Sequence, residues 1–188
     1  VVARVRPSPN PSDYVRPKDG EIEVAIPRGD ETVYNQIEEY HFKFARVFGA
    51  ETTQTSIFSN VAKDLVLGAL DGVNCTIFAY GQTGSGKTHT ICGDHRDRGI
   101  IPRSLSCIFD AIDSRQDNVD YSVYMSFIEV YKEVGYDLLA KEFGATVDSW
   151  PVVSVSLQGG EPVLQGAKRV AIASEDEGLH QYFLGAPA

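Results

Sequence analysis

An α/β layered sheet with flanking helices is the fold class this sequence predicts, and three observations predict it. Residues 75–92 read CTIFAYGQTGSGKTHTIC, an apolar run, a glycine-rich turn and then a stretch that suits a helix. The hydrophobic period switches between two and about 3.6 along the chain, so strand patterns alternate with helix patterns. With 188 residues, 43% hydrophobic and 23% charged, there is material for one domain with a real core and too little for two.

The glycine-rich turn is the centre of the reading. Thr76 to Tyr80 is predicted as a buried strand bounded by glycine. Gly81, Gln82, Thr83, Gly84, Ser85, Gly86, Lys87 and Thr88 follow it and fit G-x-x-x-x-G-K-[ST], the P-loop pattern. Glycines at 81, 84 and 86 let the backbone curl its N–H groups toward one point. A helix starting near Gly86 adds its unpaired N–H groups and positive dipole end. Lys87 suits the β/γ-phosphates as a mobile point charge, and the Thr88 hydroxyl suits Mg²⁺. A dinucleotide fingerprint fits worse, because Gly84-Ser85-Gly86 is followed by Lys87, Thr88 and His89 rather than by another glycine in G-x-G-x-x-G spacing. The expectation is a P-loop NTPase-type fold that binds a nucleoside triphosphate with Mg²⁺.

The other elements follow in order. VVARVRP alternates into a short strand that ends at Pro7. Ser8 to Gly20, with prolines at 9, 11 and 17, reads as a loop. Ile22, Val24 and Ile26 alternate and Pro27 closes that strand; Gly29 to Glu39 is polar and reads as loop. Tyr40, Phe42 and Phe44 mark a half-buried strand. From Gln54 to Leu70 the period is helical, through Phe58, Val61 and Leu65, with Asp71-Gly72 as the stop. Gly93 to Gly99 is a charged loop after the P-loop helix. Ile101, Leu105, Ile108, Phe109 and Ile112 mark a further helix with Pro102 in its first turn. Tyr121 to Tyr131 alternates as one long strand, and Val134 to Leu139 turns away from it. Lys141 to Ser149 reads as loop. Val153, Val155 and Leu157, then Val163 and Leu164, predict a hairpin around Gly159-Gly160. Ser174 with Glu177 is a capping box that opens a helix through Leu179, Tyr182 and Phe183.

Composition narrows the function classes. A net charge of −9 argues against a nucleic-acid partner, and equally against an acidic protein surface. No apolar run approaches the ~18 residues a membrane span needs, and the opening residues are not a signal peptide. Cys75, Cys92 and Cys107 lack C-x-x-C spacing, which favours reduced thiols over a disulfide framework. His89, Cys92 and His95 lie close in sequence, but with no further Cys or His nearby they make a poor metal site.

Taken together, these motifs resemble the N-terminal half of a kinesin motor domain. VVARVRP is similar to that family's opening R-x-R-P strand, FKFARVF to its F-x-F-D-x-V-F segment and GQTGSGKTHT to its P-loop. RGIIPR resembles the segment after the P-loop helix, and FIEVYKEVGYDLL the F-L-E-I-Y-N-E…D-L-L strand. The order is the family's, and the match spans nearly the whole chain. KFARVF, GQTGSGKT, SCIFDAI, EVGYDLL and FLG look closest to the kinesin-nine group of ciliary and flagellar motors. The resemblance implies ATP and Mg²⁺ as ligands and microtubules (tubulin) as partner. It also implies self-association as a homodimer through regions outside this chain, and a place in the cytoplasm on the cytoskeleton, in a cilium or flagellum if the subfamily likeness holds. By the same resemblance Arg4, Arg6 and Pro7 would flank the adenine ring, with His89 against its other side; a guanidinium and an imidazole both stack on a base.

The sequence departs from the family at several points. Ala45 stands where aspartate is usual, Lys132 where asparagine is usual, and Gly135 where an aliphatic residue is common, which puts strand stability near residue 135 in question. The switch motifs N-x-x-S-S-R-S-H and D-L-A-G-S-E, which hold the metal-side carboxylate and the water-orienting groups in kinesins, do not occur. Ile108-Phe109-Asp110 is the best Walker-B-like candidate but sits in a helical pattern; Glu129 follows an apolar run without a partner motif. The resemblance therefore implies residues 1–188 as a partial motor domain without switch I, switch II or the main microtubule-binding helix. Two alternatives stay open: a truncated or degenerate motor acting as a binding module without turnover, and another P-loop NTPase with a different switch arrangement.

Overall fold

The computed structural model describes residues 1–25, 39–115, 119–140 and 149–185. The strand end at Ile26 and Pro27 and the loops over residues 29–38 and 141–148 lie outside the described residues. The chain divides into two compact units, residues 1–101 and 102–188.

In the first unit, β1 (Val2–Arg4) pairs in parallel with β5 (Arg46–Phe48), Val2 opposite Arg46 and Arg4 opposite Phe48. β2 (Val15–Lys18), β3 (Glu21–Ala25) and β4 (Glu39–Lys43) form a separate antiparallel sheet in that order. β2 corrects the loop expected over 8–20. Its Pro17 can take part because β2 is an edge strand, where a missing N–H leaves no gap in a ladder. β4 matches the alternating pattern but is exposed along its whole length, not half-buried, with Tyr40 and Phe42 stacked on each other at 6.4 Å.

The helix expected from Gln54 to Leu70 forms as α1 (Gln54–Ile57), a π-helical turn (Phe58–Ala62) and α2 (Lys63–Leu70). Thr53 caps it, its hydroxyl accepting from the Ser56 N–H at 3.2 Å. Ile57, Phe58, Ala62 and Val66 are its buried stripe. Gly72, at φ 86°, ends it as the Asp71-Gly72 signal requires.

Thr76 to Tyr80 is the main correction. These residues form no strand, and Phe78 and Tyr80 are 80% and 96% exposed. Ile77 and Ala79 are half-buried and their neighbours are not, so the period-two pattern survives without a ladder. An apolar sequence sets strand preference, but a strand exists only where a second backbone supplies its hydrogen bonds. Among the described residues no strand does so, and the strands stand as four small sheets rather than one continuous layer.

In the second unit, α4 (Ile100–Ser114, begun two residues before the unit boundary) and α5 (Glu175–Gly185) are the helices among the described residues. The strand expected over 121–131 is two: β6 (Val123–Met125) and β7 (Ile128–Tyr131). The break at Ser126-Phe127 has a clear cause. β6 pairs with β11 (Val170–Ile172) while β7 pairs with β8 (Val134–Asp137), so the chain changes ladders between them. Residues 134–137 thus return antiparallel along β7 instead of turning away. β9 (Val152–Gln158) and β10 (Glu161–Gln165) make the expected hairpin, with Gly159 and Gly160 at φ 62° and 90°. Leu105, Ile172 and Leu179 form the core between α4, β11 and α5, joined by Phe109, Val123, Met125 and Val170. Ser174 accepts from the Glu177 N–H at 3.2 Å, and the Glu177 carboxylate accepts from the Ala173 N–H at 2.8 Å, a capping box displaced by one residue on its return bond.

Candidate nucleotide-binding site

The loop between Tyr80 and α3 (Lys87–Ile91) is curled by its glycines. Gly84 and Gly86 lie at φ 80° and 100°, where a side chain would be strained. The Ser85 N–H bonds to the Gln82 carbonyl at 3.1 Å, closing a turn in the middle of the motif. Lys87 then folds back over this turn, its ammonium donating to the Gly81 and Gln82 carbonyls at 2.8 Å each. The half-buried lysine is therefore held across the loop. Gly86 is the N-cap of α3 and, lacking a side chain, makes no capping bond of its own to the first-turn amides.

Thr88 occupies the second position of α3 and is exposed beside Lys87. Its hydroxyl gives a single hard oxygen ligand, which fits Mg²⁺, an ion that keeps several waters and takes few protein ligands. Gln82 and Thr83 are exposed and Ser85 half-buried on the same loop.

The four residues expected at the base are placed differently from one another. Arg6 is exposed and donates to the Gly84 carbonyl, so it pins the loop apex. Arg4, half-buried on β1, donates to Gln54 Oε1 at 2.8 Å, Thr90 Oγ1 at 2.9 Å and the Thr52 carbonyl at 3.2 Å. Burial lowers the Arg4 pKa from its ordinary value, and the Asp97 charge partly offsets this. His89 sits on α3 with Nε2 3.8 Å from Asp97 Oδ2 and Nδ1 3.4 Å from Gln54 Nε2. Pro7 is exposed after β1. The structure thus brings Arg4 and His89 together through Gln54, and Arg6 to the glycine-rich loop. Gln54 carries no motif signal; only its polarity at a buried helix position could have marked it.

The charged loop after α3 is a tight hairpin. Asp94 accepts from the Arg96 and Asp97 N–H groups at 2.8 Å each, and these bonds (Asp97 first) lower its pKa. The Gly99 N–H bonds to the Cys92 carbonyl at 3.0 Å. Cys75, Cys92 and Cys107 form no disulfide. Among the described residues, the one His/Cys/Asp/Glu group close enough to share a metal is Glu21, Glu23 and His41, where Lys18 already pairs with Glu23; His89, Cys92 and His95 do not form one. Asp110 lies exposed on α4 and Glu129 lies in the β7–β8 ladder opposite Tyr136. No helix among the described residues is long and apolar enough to cross a membrane.

A curled glycine loop closed by a lysine and followed by a helix-borne threonine is the phosphate-binding device of P-loop proteins. Residues 5–186 match the kinesin motor domain family, and the chain belongs to it. It is 35% identical to kinesin-like protein KLP1 of Chlamydomonas reinhardtii over 98% of its length, and 36% identical to kinesin-like protein 3 of Schizosaccharomyces pombe over 95%. It is 37% identical to kinesin-like protein Klp61F of Drosophila melanogaster over 72%. The chain spans 24%, 31% and 13% of the length of these three relatives.

Proposed function

We propose that residues 1–188 are the ATP-binding part of a microtubule-based motor, the P-loop half of its motor domain. The observation that supports this most directly is Lys87 held across the loop mouth by the Gly81 and Gln82 carbonyls. On this reading the amides of 81–88 and the Lys87 ammonium bind the triphosphate. The Thr88 hydroxyl holds Mg²⁺, which neutralises charge on the phosphate oxygens. Arg4, Arg6, Pro7 and His89 flank the adenine. Tubulin is the partner through the complete domain, the cytoskeleton the location, and self-association runs through sequence outside these residues. The likeness of KFARVF, SCIFDAI and EVGYDLL to the kinesin-nine group favours a ciliary or flagellar motor.

A second reading is nucleotide binding without turnover. Phosphate release by the full-length protein, with and without microtubules, separates the two. Release that microtubules stimulate is expected. ATP binding with no release under either condition leaves only the binding module.

A further inference from the structure

Gln54 is a polar residue with 2% of its surface exposed, at the start of α1. Its Oε1 accepts from Arg4 Nη1 at 2.8 Å, and its Nε2 donates to the His89 carbonyl. One side chain therefore ties β1 to α3. We propose that Gln54 is a positioning residue for the nucleoside end of the nucleotide site, setting Arg4 and His89 relative to each other without itself touching the ligand. The inference rests on the P-loop reading above.

The chemistry suits an amide. Gln54 must accept from a cation and donate to a carbonyl at the same time, and a neutral amide does both. A carboxylate accepts only; an aliphatic side chain does neither. Gln54 itself is buried and both bonds are partly so, so removing the amide takes a partner from each at a cost that water offsets only in part. Thr90 Oγ1 accepts from the same Nη1 and the Thr52 carbonyl accepts from Nη2, so Arg4 stays near its place and loses its tie to His89. The phosphate cradle is built from the backbone of 81–88 and from Lys87, and Gln54 makes no bond to it among those described. Loss of Gln54 should therefore weaken recognition of the nucleoside and spare that of the phosphates.

The test is calorimetric titration of the full-length protein with Mg·ATP and, separately, with Mg·tripolyphosphate. In Gln54→Met the dissociation constant for Mg·ATP is expected to rise about 10-fold, with that for tripolyphosphate changing less than about 2-fold. Gln54→Glu keeps the Arg4 bond and loses the donor to His89, and should show the same selective loss if Gln54→Met does not fold. Equal changes for both ligands, no change for either, or failure of both variants to fold overturns the inference. Failure of the unsubstituted protein to bind either ligand overturns the nucleotide reading instead.

Discussion

The ammonium of Lys87 donates to the carbonyl of Gly81, six residues earlier, at 2.8 Å. The bond crosses the P-loop and spares the lysine charge from standing alone. On the proposed nucleotide-binding reading, a phosphate displaces it and replaces a neutral acceptor with a charged one. Lys87→Ala in the full-length protein should weaken Mg·ATP binding by about 1.5–3 kcal/mol, the range for hydrogen bonds to charged groups. Titration calorimetry reads this directly; an unchanged affinity would remove Lys87 from the phosphate site.

A second expectation concerns the β7–β8 turn. Lys132 and Glu133 lie at φ 49° and 66°, left-handed positions that suit Asn and Gly. Each costs an ordinary side chain about 1–2 kcal/mol. Replacing them together, Lys132→Asn with Glu133→Gly, should stabilise the chain by roughly 1 kcal/mol after allowing for the greater freedom of glycine when unfolded. Chemical denaturation measures it, and a lower midpoint would count against the turn geometry.

Asp94 gives a pH dependence with a definite sign. Its carboxylate has a lowered pKa in the folded chain, so its contribution is present above the unfolded value of about 3.9 and is lost as pH falls through the folded value. Amide exchange at Arg96 and Asp97 should therefore quicken as pH drops below about 4, beyond the intrinsic pH trend. Asp94→Asn, which removes the titrating group, should abolish that extra dependence.

The exposed rings of Phe78 and Tyr80 carry a further expectation. A segment with strand preference, no ladder and two uncovered aromatics offers itself to other chains. The isolated 188-residue chain should self-associate as its concentration rises and unfold without a sharp transition. Phe78→Lys with Tyr80→Lys should shift sedimentation toward monomer. A sharp cooperative melt of a soluble monomer would contradict this.

What the sequence revealed and what it hid divide along the range of the interactions. The P-loop, the helix through Phe58 and Val66, α4 and the Gly159-Gly160 hairpin depend on period and turn chemistry within a few residues, and all were legible. β2 was hidden by Pro17, a residue that breaks central strands but not edges. Thr76 to Tyr80 had every local mark of a strand; the missing ingredient was a neighbour, which no local pattern contains. The split between β6 and β7 likewise depends on which distant strand each meets. In the site, the curl of the glycine-rich loop was readable from its glycines. Gln54 was not, because its partners Arg4 and His89 lie 50 and 35 positions away.

The open tip of the β9–β10 hairpin has a practical meaning. Among the described residues, and apart from its chain neighbours, nothing lies within 4 Å of where a side chain at Gly159 or Gly160 would begin. The tip is thus a natural splice point for a fluorescent reporter or an affinity handle, provided the insert brings its own tight bend. Such a label would sit on the second compact unit, with the P-loop in the first left chemically untouched.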